Sequence, residues 1–455
     1  MGKNKVVYVC QNCGYTTGRW LGKCPECGGW NTFTEEVDIY TPTVKRKGAL
    51  NFLTSSGKPI PISQAKEIEY IRFSSGIKVL DNALGGGLVK GQVALIAGQP
   101  GIGKSTLLLQ LAYKLSHQGK KVLYVSGEES VDQIYLRAKR LGALNDNLLV
   151  YSETVLEKIE ETVEDISPDV LILDSVQTVF STELESSAGS VSQVREVSYR
   201  LTELSKRKEI TTFIVGHVTK EGQIAGPKVL EHIVDTVLQF EGERGSFYRI
   251  LKVLKNRFGP SGEMAVFKMT TFGLEEVPEP SAFFISERNA DRAGTVIFPH
   301  TEGNKPVLLE VQALVLPSVY TNPQRRSEGF DPNRLAILLA ILEKEAGIFL
   351  RDKDVFVNIV GGIEVDEPGI DAAVAVAIVS SFKDIPLPPN VAVFGEMGLT
   401  GEIRNVYFAE ARIKEAKRFG FKRILAPKSV ALELREPGVE GYRHITELLE
   451  ALDLT

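Results

Sequence analysis

Residues 98–106 read Gly98-Gln99-Pro100-Gly101-Ile102-Gly103-Lys104-Ser105-Thr106, and this segment governs the architecture of the central region. It fits the phosphate-loop pattern G-x-x-x-x-G-K-[ST], in which glycines let backbone N–H groups approach a triphosphate without a Cβ in the way. In such a loop Lys104 meets the β- and γ-phosphate oxygens, and the Ser105 hydroxyl ligates Mg²⁺. We therefore predict that residues 98–106 bind ATP together with Mg²⁺.

The residues on either side of this loop predict a strand before it and a helix after it. Gln92 to Ala97 is a short apolar run typical of a buried strand, and a helix is expected from Thr106 through Leu115. The N-terminal end of a helix carries partial positive charge, which favours phosphate there. The context therefore supports nucleotide binding.

The composition is that of a globular protein with several domains. A chain of 455 residues, 43% hydrophobic and 24% charged, is long enough for two or three cores. No apolar run approaches the roughly 18 to 20 residues that a membrane span requires, and the N-terminus resembles no signal sequence. A net charge of -5 argues against a uniformly basic nucleic-acid coat. We expect a cytoplasmic protein with no membrane contact.

The cysteines form two C-x2-C pairs near the N-terminus, each followed by glycine. These are Cys10, Cys13, Cys24 and Cys27. Two such pairs predict a tetrahedral four-thiolate Zn²⁺ site, from which a module this small would draw most of its folding free energy. Two disulfides are the alternative, which a cytoplasmic location disfavours. We predict a four-cysteine zinc module over residues 1–34.

The rest of the chain divides into a linker and two larger regions. Residues 35–70 are polar and irregular, as expected of a linker. Over residues 71–275 apolar strand-like runs alternate with helical patterns, which is typical of a mostly parallel sheet covered by helices. A proline-containing stretch between 276 and 284 precedes another set of strands and helices over residues 285–455. The sequence thus predicts a multidomain α/β protein.

Two acidic positions are predicted to complete the nucleotide site. The apolar strand 170–174 ends in Asp174, as in a Walker B element, where the carboxylate holds Mg²⁺ or its water. The strand 121–126 is followed by Glu128 and Glu129, and an acid at this point can polarise an attacking water. We favour Glu128, and the alternative is that both are solvated acids at the start of a helix.

Taken in order, these motifs closely resemble a bacterial family of DNA repair proteins, RadA, also called Sms. The resemblance spans nearly the whole chain. It is carried by the four-cysteine module, the phosphate loop, Ser126-Gly127-Glu128-Glu129-Ser130, Asp174 and Lys255-Asn256-Arg257-Phe258-Gly259. It implies a RecA-type core shared with the hexameric helicase DnaB, Glu128 as the catalytic glutamate, and His217 as the sensor of the γ-phosphate. A hydrogen-bonded histidine at a strand end is the alternative for His217.

Lys255 and Arg257 lie two residues apart on an extended segment, so their side chains project to the same side. The resemblance to ring ATPases implies that this pair reaches into the nucleotide site of a neighbouring subunit. Exposed charge at a strand end is the alternative. Replacing Arg257 with Ala is expected to abolish turnover and to leave nucleotide binding intact.

Two stretches rich in small and polar residues are predicted to face DNA. Residues 181–195 end in Arg195, and residues 220–228 begin with Lys220 and end with Lys228. In RecA-type cores the loops at these two places line a central channel that holds single-stranded DNA. The resemblance therefore implies phosphate contacts for Arg195, Lys220 and Lys228, and mobile surface loops are the alternative.

From about residue 285 the chain resembles the peptidase domain of Lon, an α+β domain with a Ser-Lys dyad. The matching positions hold Gly369 and Glu410, so neither half of the dyad exists and no peptidase activity is expected. We expect a scaffold for ring assembly and duplex DNA contact. Basic positions of one predicted helix, among them Arg412 and Lys414, would face either DNA or solvent.

The motifs and the resemblance together predict a DNA-dependent ATPase that works as a ring-shaped motor. By that resemblance it would be a homo-hexamer acting as a helicase or in branch migration on single-stranded, branched and duplex DNA. It would act in DNA repair and homologous recombination, with the RecA recombinase as a partner. The alternatives are a RecA-core regulatory ATPase acting on protein partners and an ATP-dependent protease, which the missing dyad disfavours.

Overall fold

The computed structural model describes residues 5–10, 15–26, 28–38, 70–218, 224–225, 229–242, 247–286, 288–302, 305–319 and 322–455. The chain forms two compact units. One comprises Met1–Glu241 and Arg249–Glu276, and the other comprises Gly242–Tyr248 and Val277–Thr455. Within the described ranges, no helix combines the length and the apolar character needed to cross a membrane.

The N-terminal segment forms a small antiparallel sheet. Its strands are β1 (Lys5–Cys10), β2 (Thr16–Thr17) and β3 (Phe33–Asp38), in the order β2-β1-β3. Cys10 and Phe33, from two strands of this sheet, form a buried cluster with Cys24. A segment of this length buries too little apolar surface to stabilise a fold alone, which is consistent with a module that needs a metal.

The remainder of the first unit alternates strands and helices. The strands are β4 (Arg72–Phe73), β5 (Leu88–Val89), β6 (Val93–Gly98), β7 (Val122–Ser126), β8 (Leu148–Ser152), β9 (Val170–Asp174), β10 (Thr211–Val218), β11 (Ile224–Ala225), β12 (Thr236–Glu241), β13 (Tyr248–Asn256), β14 (Met264–Thr270) and β15 (Gly273–Glu276). The helices are α1 (Lys78–Ala83), α2 (Lys104–His117), α3 (Val131–Arg140), α4 (Leu156–Ile166), α5 (Val191–Lys208) and α6 (Val229–Ile233).

One large sheet dominates this unit, and the predicted mostly parallel sheet is confirmed. Its strand order among the described residues is β15-β14-β13-β12-β6-β10-β9-β7-β8, and the strands from β12 to β8 run parallel. The central strands are buried on both faces, because α1, α2 and α3 contribute to one apolar cluster and α4, α5 and α6 to the other. Carboxyl ends of parallel strands meet at one edge, where ligands bind in open α/β sheets.

The second unit is built on a mixed sheet. Its elements are α7 (Pro280–Phe284), β16 (Thr295–Glu302), β17 (Lys305–Pro317), β18 (Arg325–Glu328), α8 (Pro332–Ala346), β19 (Lys353–Ile359), α9 (Asp371–Lys383), β20 (Val391–Val393), β21 (Glu396–Met397), β22 (Ile403–Arg404), α10 (Ala409–Arg418), β23 (Arg423–Pro427), α11 (Lys428–Leu434), β24 (Val439–Tyr442) and α12 (Ile445–Glu450). The sheet order is β18-β19-β17-β16-β20-β23-β24. Helix α9 is buried along most of its length, because alanine and valine dominate it.

Candidate active site

The phosphate loop connects the end of β6 to the start of α2, as the sequence predicts. Gly98 and Gly103 are the positions where a side chain would not fit. A Cβ at Gly98 would lie 2.6 Å from the carbonyl oxygen of Phe240. A Cβ at Gly103, whose φ is +116°, would lie 2.9 Å from Met269 Cε, and L side chains rarely adopt that φ. The loop can therefore keep its shape only with glycine at these positions.

Lys104 is buried within the loop. Its Nζ donates hydrogen bonds to the carbonyl oxygens of Gly98 at 2.7 Å and Gln99 at 3.0 Å. Burial lowers the pKa of this ammonium group to about 8, although the nearby Asp174 and Glu128 carboxylates act in the opposite direction. The same two carboxylates thus lie close enough to Lys104 to belong to one site.

Asp174 ends β9 and stands opposite Ser126 of the parallel strand β7. Tyr124, on the same strand as Ser126, donates its hydroxyl hydrogen to Asp174 Oδ2 at 2.6 Å. Burial, together with the Asp174 charge, raises the pKa of Tyr124 well above its ordinary value, so the phenol remains a donor. Tyr124 therefore fixes the Asp174 carboxylate, a role that the sequence does not reveal because one buried strand tyrosine resembles any other.

Glu128 and Glu129 occupy different environments. The Ser175 hydroxyl donates to Glu128 Oε1 at 2.6 Å, and the Gly127 N–H donates to the Asp174 carbonyl at 2.9 Å. Glu129 instead forms an ion pair with Arg137 of α3. Glu128 is thus tied to the segment that carries Asp174, whereas Glu129 is engaged by the helix that follows it, and this difference favours Glu128 as the group that orients water.

The residues of this site fit ATP and Mg²⁺. Ser105, in the first turn of α2, and Asp174 offer hydroxyl and carboxylate oxygens, which are the ligands that Mg²⁺ prefers. A Cβ added at Gly101 would meet nothing within 4 Å, so the tip of the loop borders open space. Loop backbone, Lys104 and the start of α2 can therefore face a triphosphate there.

His217 lies beside the phosphate loop. Its backbone in β10 is in register with Gly98 of β6 on one side and with Ala225 of β11 on the other. This is the edge of the sheet where a residue contacting the γ-phosphate would have to stand. The proposed role as a γ-phosphate sensor stays a prediction.

Lys255 and Arg257 converge on the segment between α6 and β12. Lys255 Nζ donates to the carbonyl oxygens of Glu231 and of Val234, the latter at 2.8 Å. Arg257 Nη1 lies 3.6 Å from Asp235 Oδ1, and the Arg257 side chain is 54% exposed. Burial and the adjacent Arg257 charge lower the pKa of Lys255. The pair shares one side, as predicted, and Arg257 keeps an accessible surface.

This pair lies far from the phosphate loop of its own chain. Strand β12 places Thr236 opposite Ala94 and Phe240 opposite Gly98, and β13 places Asn256 opposite Thr236. Lys255 and Arg257 therefore stand where β6 begins, whereas the loop follows the end of β6. Four residues of strand correspond to about 13 Å, before the spacing between strands is added.

The first candidate DNA loop is more ordered than its composition predicts. Residues 181–195 do not form one loop, because α5 begins at Val191 and Arg195 therefore lies on a helix, with its side chain exposed. The buried Gln193 accepts from Ser181 N at 2.8 Å and donates to the carbonyl oxygens of Ser181, Leu184 and Ser186. One amide thus organises residues 181–186.

Several predicted residues lie wholly or partly outside the described part of the chain. Lys220, Lys228, Cys13 and Cys27 are outside it, and His217 is described by its backbone alone.

The described part of the candidate zinc site contains two of the four cysteines. Cys10 and Cys24 are buried, and the Gly28 N–H donates to the Cys24 carbonyl at 2.9 Å. Among the described residues no group of three metal-ligating side chains occurs. Two soft thiol donors buried in one small core fit Zn²⁺.

The second unit contains a buried ion network at the position that corresponds to the Lon dyad. Arg412 forms ion pairs with Glu367, and His300 Nδ1 lies 2.6 Å from Glu367 Oε1. A Cβ at Gly369 would lie 3.1 Å from Glu367 Oε2, so the network adjoins the residue that the resemblance to Lon matches to the nucleophile. Burial alone would raise the pKa of Glu367, but His300 and Arg412 lower it to about 2.

This network corrects one expectation from the sequence. Arg412 is 1% exposed and cannot face DNA, because its guanidinium also donates to the Pro299 carbonyl and the Thr301 hydroxyl inside the domain. Glu410, which the resemblance to Lon matches to the base, is exposed and pairs with Lys414 at 2.6 Å. The described contacts thus give Glu410 a surface ion pair.

Comparison with known proteins covers most of the chain. An AAA domain model matches residues 61–223, a rubredoxin metal binding domain model matches residues 8–35, and the model for subunit ChlI of Mg-chelatase matches residues 335–430. Among solved structures, a KaiC-like protein of Pyrococcus horikoshii OT3 covers 46% of this chain and 100% of its own, at 22% identity and a TM-score of 0.40.

Curated relatives match along almost the entire length. The DNA repair protein RadA of Aquifex aeolicus is 63% identical over 453 residues, covering 99% of this chain and 100% of the relative. The DNA repair protein RadA of Bacillus subtilis is 48% identical and covers 99% of both chains. The protein of the same name from Halalkalibacterium halodurans is 47% identical and covers 100% of this chain and 99% of its own.

Proposed function

The chain belongs to the RadA family of DNA repair proteins and is an ATPase of that family, and on this premise we propose that it is a ring-shaped DNA motor. In this proposal a homo-hexamer hydrolyses ATP between subunits and moves along DNA. Its substrates are single-stranded, branched and duplex DNA in recombination and repair. The observation that carries the proposal is the separation of Lys255 and Arg257 from the phosphate loop of their own chain.

A shared site would explain that separation. Lys255 and Arg257 lie at the sheet edge opposite the loop, so only a second copy could bring such a pair to the phosphates. An arginine supplied by a neighbouring subunit stabilises the charge that develops during phosphoryl transfer, and it can be worth roughly 10³ to 10⁵ in rate. Hydrolysis would then depend on assembly, as a ring motor requires.

The remaining residues divide the chemistry among them. In this proposal Glu128, oriented by Ser175, aligns the attacking water and accepts its proton. Lys104 contacts the β- and γ-phosphate oxygens, and His217 responds to the γ-phosphate. When bound through Ser105 and Asp174, Mg²⁺ would neutralise charge on the phosphates. Tyr124 keeps the Asp174 carboxylate oriented for that purpose.

DNA would contact the loops that follow the carboxyl ends of β9 and β10. The proposed phosphate contacts are Arg195, Lys220 and Lys228, of which Arg195 projects from α5 into solvent. Such contacts release counterions, so affinity should fall steeply with salt.

We propose that residues 1–34, 71–275 and 285–455 are the zinc, ATPase and Lon-like domains, with a linker over residues 35–70. The RecA recombinase as partner and a cytoplasmic location stay predictions.

The test is a strand-separation assay on forked DNA with ATP hydrolysis measured in parallel. Wild type should separate strands and hydrolyse ATP faster when single-stranded DNA is present. Lys104→Ala should lose both activities, and Arg257→Ala should lose both while still binding ATP. Hydrolysis indifferent to DNA but stimulated by a protein partner would instead indicate a regulatory ATPase, and digestion of casein would indicate a protease.

A further inference from the structure

Asp235 is a buried carboxylate at the point where three functional elements meet. It precedes β12, and its side chain is 5% exposed. Its Oδ2 accepts from the Val93 N–H at 3.0 Å, and Val93 begins the strand that leads to the phosphate loop. The backbone repeats this connection, because the Asp235 N–H donates to the Val93 carbonyl at 3.0 Å. The carboxylate is therefore anchored to a strand that is buried along its whole length.

Two cations approach the same carboxylate from other elements. Lys206, in the last turn of α5, pairs with Asp235 Oδ2, and Arg257 Nη1 lies 3.6 Å from Asp235 Oδ1. The Arg257 N–H also donates to the Asp235 carbonyl at 3.0 Å. Lys206 further lies 5.1 Å from the centre of the Phe258 ring, which follows Arg257 directly. Both the backbone and the side chain of Arg257 thus depend on this cluster.

A carboxylate buried to this degree is stable only while its partners remain in place. Its charge neutralises Lys206 and orients Arg257, whose guanidinium otherwise lies half in solvent and donates to the His232 carbonyl at 3.3 Å. An arginine side chain has many rotamers. An anchor that restricts them lowers the entropic cost of holding the guanidinium in the one position that contacts a ligand.

We propose that Asp235, supported by Lys206, is the positioning residue for Arg257 and sets where that guanidinium stands when it meets a neighbouring subunit's nucleotide. Helix α5 begins within the candidate DNA stretch 181–195 and carries Lys206 in its last turn, so the cluster also links that stretch to Arg257. This inference rests on the proposed sharing of one site by two subunits.

The test compares ATP hydrolysis by single variants with hydrolysis by rings that mix two variants. Asp235→Asn keeps an oxygen for the Val93 N–H but removes the charge, and turnover should fall by about 100-fold, as expected when a catalytic group is displaced by roughly 1 Å. Binding of ATP should not change. Lys206→Met should lower turnover in the same direction. Lys208→Met, two residues further along α5 and paired with Glu164, serves as the matched control and should behave as wild type.

Mixing separates a positioning role from a structural one. Lys104→Ala chains cannot hydrolyse ATP but carry intact Asp235 and Arg257, so adding them to Asp235→Asn chains should restore hydrolysis. Adding Arg257→Ala chains to Asp235→Asn chains should not restore hydrolysis, because neither variant then supplies a correctly positioned Arg257 guanidinium. Failure of Asp235→Asn to recover with Lys104→Ala, or wild-type turnover of Asp235→Asn alone, would overturn the inference.

The parallel mixture of Arg257→Ala with Lys104→Ala tests the premise. If that mixture stays inactive, the shared site itself is wrong, and the proposed function fails with it. If it recovers activity while Asp235→Asn does not, only the role of Asp235 is refuted. Should Asp235→Asn fail to fold, as judged by thermal unfolding, the same mixtures with Lys206→Met decide the outcome.

Discussion

The Ser175 hydroxyl lies 2.6 Å from Glu128 Oε1, and this hydrogen bond joins the residue after Asp174 to the first of two adjacent glutamates. Glu129 has a different partner, since it pairs with Arg137 on the helix that follows. Two acids that look interchangeable in sequence are therefore chemically distinct in the folded protein.

Replacing each glutamate in turn should reveal this difference. Glu128→Gln should lower the rate of ATP hydrolysis by about 10²- to 10⁴-fold, the usual contribution of a positioned general base, while ATP binding is retained. Glu129→Gln should change the rate by less than about threefold, because a partly exposed ion pair contributes little. Single-turnover hydrolysis measures both, and equal losses in the two variants would contradict the assignment.

The buried Lys104 should make ATP binding dependent on pH. Its pKa of about 8 means that the side chain is charged below pH 8 and loses its charge as the pH rises through 8. Phosphate favours the charged form, so affinity should fall by about tenfold between pH 7 and pH 9. Titration calorimetry at several pH values measures this. Lys104→Met should bind weakly at every pH, and the same slope in that variant would exclude Lys104 as its source.

The ion network of the second unit should support stability without supporting catalysis. Glu367→Gln leaves Arg412 buried without its counter-charge, so the second unit should lose about 3 to 5 kcal/mol of unfolding free energy. Glu410→Gln removes only an exposed pair with Lys414 and should cost less than about 0.5 kcal/mol. Differential scanning calorimetry on the full chain compares them. Casein should remain intact with either variant and with wild type.

Metal removal should unfold the N-terminal module alone. The chain contains two tryptophans, Trp20 and Trp30, and both lie in this module, where Lys23 Nζ is 5.5 Å from the Trp30 ring. A chelator should release one zinc per chain and lower the tryptophan anisotropy, because metal supplies on the order of 10 kcal/mol or more of folding free energy. Nucleotide binding should be unchanged. If a reductant rather than a chelator had this effect, the cysteines would be paired as disulfides.

Features that depend on neighbouring residues could be predicted from the sequence. The phosphate loop and strand β9 needed only a contiguous pattern, because glycine spacing and an apolar run ending in Asp174 each determine local structure. The alternation of strands and helices indicated the parallel sheet for the same reason. The expectation that Arg412 faces DNA or solvent is wrong, because a charged residue on a helix is usually exposed and no local pattern indicates Glu367 as its buried partner.

Contacts between distant segments needed the tertiary structure. Tyr124 and Asp174 are 50 residues apart, and Ser175 and Glu128 are 47 apart, yet each pair meets because β7 and β9 are neighbours in the sheet. Asp235 carries no sequence signal at all, since its importance comes from the start of β6 and the ends of α5 and β13 meeting at one place. Local patterns encode backbone conformation and chemistry, whereas strand order decides which side chains share a site, and that order depends on the packing of the whole core.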